Sequence, residues 1–459
     1  MSNTPDVIIV GAGIAGLTAA AELSQAGFFV TILEARDRIG GRIFTQRDSI
    51  HQAPIELGAE FIHGHPPEIW KLLKQSKIKT AEVKGDMWCT RDGKLSPCNF
   101  FSAVDKILDA MDDRQPDESF RNFLESHFRH KKMGAKQREA REHALEYVSG
   151  FNAADPALVS VHWLVQEMCA DEAIEGDRAF RAANGYSDLI EIFQKQLAKR
   201  GVTIQTGTVV ERIHWQANRA KVFVRDDAGK RTLTSPRVLI TLPLAVLKAR
   251  PGDIGAVQFD PPLPGEKLRA MKRLEMGKVI RIALRFQDRF WARIRPQGGQ
   301  SKTLSRMSFL FSQDAWFPTW WTTMPAKLPI IVGWAPFRCA EKLSGQSREF
   351  VIQRSLESLA NVLSIDLREL QDLLDGAFFH DWQTDPFSRG AYSYAKVGAD
   401  GAQGALGRPL DNTLFFAGEA TDTSGHNGTV HGAMASGYRA AAQIRQSATQ
   451  RPIARIVKA

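Results

Sequence analysis

The run Asp6 to Leu17, D-V-I-I-V-G-A-G-I-A-G-L, constrains the fold more than any other stretch of the chain. Val7 to Val10 is a short apolar run rich in β-branched residues, the pattern of a strand buried on both faces of a parallel sheet. Gly11, Gly13 and Gly16 follow at G-x-G-x-x-G spacing. Gly11 permits the tight turn out of the strand, Gly13 lets a pyrophosphate approach the backbone, and Gly16 lets a helix lie close on the sheet. The helix predicted from Ile14 to about Gln25 turns its first N–H groups, at Ile14 and Ala15, and its dipole toward an anion. Gly27 marks its stop. Phe28 to Leu33 reads as a second strand. Glu34 ends it, about 20 residues past the glycines, where a carboxylate takes ribose hydroxyls. Strand, glycines, helix, strand and acid in this order predict a dinucleotide site. Glu34 would repel a 2′-phosphate, which leaves NAD or FAD.

The next residues choose between them. Glu34 to Arg42 reads E-A-R-D-R-I-G-G-R. Gly40, Gly41 and Arg42 can wrap a second loop around the pyrophosphate, with Ala35 beside it and Arg36 and Arg42 supplying charge-assisted hydrogen bonds. This stretch resembles the extended fingerprint of the flavin-containing amine oxidases: monoamine oxidases, polyamine oxidases and the related histone demethylases. The resemblance implies an α/β fold, a Rossmann-like FAD-binding domain of the GR2-type flavoproteins with an interleaved α+β substrate-binding domain. Residues 1–75, 181–255 and 385–459 would form the first domain, and 76–180 with 256–384 the second.

Four further segments carry the resemblance. Ile55 to Gly64, I-E-L-G-A-E-F-I-H-G, is similar to the second flavin segment, which places Gly58, Ala59 and Glu60 against the cofactor. Its I-H-G ending is closer to polyamine than to monoamine oxidases. It puts His63 at the active-site mouth, the alternative being a loop histidine without a chemical role. Val210 falls where the family sets a valine against the adenine. Trp382 to Tyr394, W-Q-T-D-P-F-S-R-G-A-Y-S-Y, resembles the polyamine oxidase and histone demethylase segment in which Tyr392 is an aromatic wall beside the flavin and Trp382 lines the same cavity. Ala391 stands where monoamine oxidases attach flavin through cysteine, which implies non-covalent FAD. Leu414 to Gly437 resembles the third FAD segment, with Gly418 and Glu419 at the ribose or pyrophosphate and the N–H groups of Thr429 and Val430 at the flavin's carbonyl edge. Thr429 also occupies the position of a cage tyrosine in monoamine oxidases.

One departure bears on chemistry. Met276 to Phe286, M-G-K-V-I-R-I-A-L-R-F, alternates like a half-buried strand. It resembles the strand that carries a lysine beneath the flavin in most amine oxidases. Arg281 takes that position, and Lys278 falls on the opposite face. Arginine is planar and never deprotonates, so it is no simple replacement. It leaves open whether oxygen or another acceptor takes the electrons, and whether Arg281 contacts an anionic substrate. Trp316, Phe317, Trp320 and Trp321 cluster as core packing, with one or two lining a tunnel.

Composition narrows the class. The 459 residues suffice for two domains with substantial cores, and 43% hydrophobic with 24% charged residues fits a globular protein. No apolar stretch reaches the length of a membrane span, and neither a leader nor a membrane anchor is expected. The densest basic run, Arg129 to Arg141, is broken by Glu139 and lacks interleaved aromatics, so it reads as a solvated helix face and no nucleic acid is expected. The net charge of +9 would steer a cationic polyamine poorly unless a local acidic funnel overrides it. Cys89, Cys98, Cys169 and Cys339 form no C-x-x-C pair and no metal-ligand cluster. They read as belonging to a reducing compartment, the cytoplasm, and no metal is expected.

These features point to an FAD-dependent amine oxidoreductase, monomeric or homodimeric. An amine loses hydride from its α-carbon to flavin N5 and the imine hydrolyses. The substrate is expected to be a polyamine, secondary amine or monoamine, of which polyamines and secondary amines fit His63 and the Tyr392 segment. An L-amino-acid-type enzyme using another acceptor fits Arg281, and a non-catalytic flavin-binding interaction protein is the reading from another class.

Overall fold

A computed structural model of the chain describes residues 4–50, 52–91, 93–129, 133–296 and 302–449. Its organising element is a five-stranded parallel sheet in the order Thr203–Gln205, Val30–Leu33, Val7–Val10, Val238–Ile240, Leu414–Phe416. Two of these strands are consecutive, and the chain returns to the sheet three times more, at Thr203, Val238 and Leu414. Val7–Val10 is central, and every residue in it is buried, as its continuous apolar run requires. Two helices pack against each other beside the sheet, Ile14–Gln25 and Val430–Thr449. They approach so closely at Gly437 that a Cβ there would sit 2.5 Å from the Ala15 carbonyl oxygen.

A four-stranded sheet (Gly229–Ser235, Arg219–Asp226, Val209–Gln216, Gln258–Asp260) stands next to the first. The other half is built on a seven-stranded sheet in the order Leu374–Phe379, Val279–Phe286, Ile330–Pro336, Thr319–Thr322, Met307–Phe311, Asp86–Arg91, Lys94–Pro97. Four helices, Phe100–Leu108, Phe120–Phe128, Ala135–Gly150 and Val161–Ala173, follow one another between the strands Lys94–Pro97 and Ala179–Ala182. Asn99 caps the first by accepting from the Ser102 N–H at 3.4 Å. A three-stranded sheet of Ile62–His63, Ala179–Ala182 and Thr80–Glu82 joins residues on both sides of positions 75 and 180. No helix among the described residues is long and apolar enough to cross a membrane.

Two expectations are corrected. Val279–Phe286 is not half-buried: all eight residues are buried, Arg281 and Arg285 each at 6% exposure. Its polar face meets acids instead of water. Arg285 pairs with Asp48 and with Asp375 at 2.9 Å, and Arg281 with Glu60, as buried guanidinium groups must. Cysteine pairing is the second. Cys89 and Cys98 form a disulfide across the hairpin Asp86–Arg91/Lys94–Pro97, while Cys169 and Cys339 stay free. A reading of compartment from unpaired cysteines therefore loses its footing. In the basic run, Lys136 and Arg138 are exposed on helix Ala135–Gly150. His130, Lys131 and Lys132 lie outside the described residues, as does the tail from 450 on.

Candidate active site

A continuous cavity of about 1420 Å³ runs between the two halves. Ordinary small-ligand sites occupy roughly 300–1,000 Å³, so the space suits a dinucleotide together with a substrate.

Backbone builds one end. Gly11 leaves the first strand at φ +105°, and helix Ile14–Gln25 starts from Gly13 without a side-chain cap. A Cβ on Gly13 would meet nothing within 4 Å and would project into open cavity. Gly41 closes over it from the second loop, where a Cβ would lie 3.2 Å from Gly13 Cα. Gly11, Gly13, Ile14, Ala15, Glu34, Ala35, Arg36, Gly41 and Arg42 line this end, and Val210 faces it from the neighbouring sheet. Gly16 lies behind it: a Cβ there would be 2.2 Å from the Gly11 carbonyl oxygen, so it serves helix-on-strand packing. The donor set fits a dinucleotide, with free helix N–H groups for a diphosphate and a buried carboxylate for a ribose.

The charged residues here are already engaged. Glu34 accepts from the Ala12 N–H at 2.7 Å and the Arg36 N–H at 3.0 Å. Arg36 donates from two nitrogens to Asp385, at 2.8 and 3.3 Å. Arg42 donates to Glu419 at 2.9 Å and to the Ala391 carbonyl at 2.7 Å. Glu419 also accepts from Ser393 Oγ at 2.6 Å and the Gly428 N–H at 3.1 Å. It thereby ties the second loop, the Tyr392 segment and the start of the last helix together. Gly418 and Val430 line the cavity beside it. Thr429 uses its hydroxyl locally, donating to the His426 carbonyl at 2.8 Å and accepting from the Gly432 N–H at 2.9 Å.

In the middle, Gly58 and Ala59 bring backbone to the cavity; a Cβ on Gly58 would lie 1.9 Å from the Arg42 carbonyl oxygen. Arg281 reaches the Gly58 carbonyl at 2.9 Å and Glu60 at 2.5 Å, and its Nε has no partner. Glu60 also accepts from Arg181 at 2.7 Å and Trp321 Nε1 at 3.0 Å. Burial works against its charge, yet Arg281 and Arg181 hold the carboxyl below its usual range. Lys278 is outside this network, paired with Glu341 at 2.8 Å.

Side chains build the far end. Trp382 is buried and donates from Nε1 to the Leu57 carbonyl at 2.7 Å. Tyr392 donates its hydroxyl to the Phe151 carbonyl at 2.6 Å. His63 packs edge-on to Phe151 with centroids 5.5 Å apart, and burial holds its imidazole below its usual value. Of the expected aromatic cluster, Phe317 and Trp320 sit in the sheet core, and Trp321 lines the cavity together with Trp334. The structure thus brings all the named site residues except Gly16 to one cavity.

Sequence reasoning missed the acidic wall. Glu167 and Asp171 stand one turn apart on helix Val161–Ala173 and line the cavity with Asn152 and Tyr147. The i, i+4 spacing of two acids in a tryptophan-containing helical run was the available signal. His431, also lining the cavity, is 3% exposed with Nε2 unpartnered, and burial drives its imidazole pKa down. Away from the cavity, Asp117, His162 and Asp400 converge. Both His162 nitrogens are taken, by Asp400 at 3.0 Å and the Gln115 carbonyl at 2.7 Å, so the trio clasps the start of the same helix.

The chain belongs to the family of flavin containing amine oxidoreductases, whose model matches residues 14–445. It is an oxidoreductase acting on amines with FAD as cofactor. Among its relatives, "Probable polyamine oxidase 4" of Arabidopsis thaliana is 28% identical over 95% of this chain and 86% of its own length. "Lysine-specific histone demethylase 2" of Homo sapiens is 30% identical over 96% of this chain, but only 53% of that protein. The fold is that of a putrescine oxidase whose structure was solved bound to putrescine: TM-score 0.78 at 21% identity, covering 96% of this chain and 99% of that one.

Proposed function

We propose that this chain oxidises polyamine or secondary amine substrates, holds FAD non-covalently, and passes the electrons to oxygen, releasing hydrogen peroxide. Residues 1–75, 181–255 and 385–459 form the flavin half, and 76–180 with 256–384 the substrate half. The observation that carries the choice of substrate is the acidic wall, Glu167 and Asp171, on a cavity inside a net basic chain. An anionic amino acid would meet two acidic side chains there, with no lysine or arginine paired to either among the described residues. The cation that spoke for such a substrate, Arg281, is already matched by Glu60. Ala391, with no side chain able to bond a flavin, supports non-covalent attachment.

The bound flavin supplies the hydride acceptor for the amine α-carbon. This chain's residues do the rest. Tyr392, its hydroxyl fixed by Phe151, and Trp382 form rigid aromatic faces that orient the amine and exclude water, and a cation on such a face gains ~0.5–2 kcal/mol. Positioning of this kind accounts for much of a hydride-transfer rate. The test is oxygen consumption and peroxide release with putrescine, spermidine, an N-alkyl amine and L-amino acids. Peroxide in step with oxygen, for the polyamines or the secondary amine and not for the L-amino acids, is the expected result. Turnover only with an artificial acceptor would favour a dehydrogenase instead, a reading that Arg281 at the lysine position supports.

A further inference from the structure

The wall that selects a cation also has the form of a proton acceptor. Helix Val161–Ala173 is fastened beside the start of the last helix: Trp163 Nε1 donates to Asn427 Oδ1 at 3.1 Å, and a Cβ on Gly425 would lie 2.6 Å from the Gln166 carbonyl oxygen. Glu167, one turn beyond Trp163, therefore faces the cavity next to the Gly428–Thr429 segment. Tyr392 covers that segment, so closely that a Cβ on Gly428 would be 3.2 Å from its ring.

The polar atoms at this point are arranged to accept. Asn152 donates from Nδ2 to Glu167 at 2.6 Å. That bond occupies the amide nitrogen and leaves the acceptor oxygen Oδ1 free. Asn152 is 3% exposed, lines the cavity, and its Oδ1 has no partner. An unmatched buried acceptor costs free energy until a donor arrives. Asp171 adds a second carboxylate. Among the described residues no lysine or arginine forms an ion pair with Glu167 or Asp171; the imidazole of His426 lies 3.8 Å from Asp171. The other titratable groups facing the pair are Tyr147 from helix Ala135–Gly150, with Asp105 behind it, and Tyr392, while His63 faces Asp171. A ligand with several N–H donors and a positive charge completes this wall, and an alkylammonium has three donors.

Resting on amine oxidation as the reaction, we propose that Glu167 receives the substrate's ammonium and removes its proton, with Asn152 Oδ1 and Asp171 holding the nitrogen in place. In this step one N–H bond breaks and one O–H bond forms: R–CH2–NH3+ and the Glu167 carboxylate become R–CH2–NH2 and the Glu167 carboxylic acid, with no change of oxidation state. The neutral pair is favoured because a water-poor cavity penalises both charges of the ion pair. Burial, reinforced by Asp171, raises the Glu167 carboxyl well above its usual value, which brings its proton affinity toward that of the amine. The nitrogen lone pair so released is what loss of hydride from the α-carbon needs.

The experiment uses the FAD-loaded protein and compares Glu167→Gln with the original chain. Anaerobic flavin reduction at saturating putrescine is followed near neutral pH and at about pH 10, where an alkylammonium releases its proton unaided. Glu167→Gln should be about 100-fold slower near neutrality and approach the original rate at the alkaline end. Binding of 2,5-dimethylhexane-2,5-diamine, whose α-carbons bear no hydrogen, is read from the shift of the flavin spectrum. It should weaken about tenfold in the variant near neutrality, the loss of one charge-assisted contact. An equal loss at both pH values, or weaker binding with an unchanged reduction rate, overturns the proton role. Unaltered binding overturns the contact itself. If Glu167→Gln loses its flavin, Asn152→Ser must show the same pH-dependent loss at smaller size, and a pH-independent profile overturns the proposal. No bleaching of the original protein by any amine at alkaline pH would instead refute amine oxidation.

Discussion

At the glycine-rich end of the cavity the wall is backbone, and at the acidic end it is side chain. Gly11, Gly13 and Gly41 make their surface by having no side chain, so their role is written in the residue type itself. Asn152, Glu167, Tyr392 and His63 make theirs by convergence of four separate segments, and none is distinctive alone. The first surface can hold one kind of ligand, a diphosphate lying on helix N–H groups. The second can be retuned by single substitutions without disturbing the sheet beneath. Consequences of substitution should therefore differ in kind between the two ends.

The largest contrast is expected at Gly13. Gly13→Leu introduces a side chain whose Cβ clashes with nothing and which fills the cradle. The protein should fold and purify without flavin absorbance, and retention of FAD would break the assignment of that end. Next comes Glu419→Gln, at the junction of the two ends. It leaves Arg42 without its ionic partner and should cost about 3 kcal/mol in urea unfolding, because a charge is left unmatched in a mostly buried place. Replacing both Cys89 and Cys98 by serine should lower stability by about 2 kcal/mol while leaving flavin content unchanged, since the closed loop is short and lies outside the glycine end. A loss of flavin there would show that the two halves are coupled more tightly than their separate sheets suggest. The smallest effect is Tyr392→Phe. Loss of the bond to the Phe151 carbonyl should raise KM about fivefold, worth ~1 kcal/mol, with kcat nearly unchanged.

The same contrast explains what could be read in advance. The order strand, glycines, helix, strand and Glu34 is local, and the five-stranded sheet places Val7–Val10 at its centre as a continuous apolar run demands. Val279–Phe286 misled because Arg281 and Arg285, four residues apart on one face, imitate a solvated face; Asp48, Asp375 and Glu60, which cover them, come from remote segments. The Cys89–Cys98 bond was hidden because the short strand Lys94–Pro97 carries little apolar signal, and without that hairpin the two positions have no reason to meet. Glu167 and Asp171 were legible as a helical pair, but the cavity they face is formed by the last helix, more than two hundred residues later.

The central claim is that this cavity joins a flavin to a cationic amine. Its most direct test is the visible spectrum of the purified protein during anaerobic addition of putrescine, spermidine, an N-alkyl amine and a set of L-amino acids. Bleaching of the flavin bands by the polyamines or the secondary amine, with the amino acids inert, is the predicted result. Bleaching by amino acids with the polyamines inert, or bands that no amine bleaches although light reduces them, would contradict it.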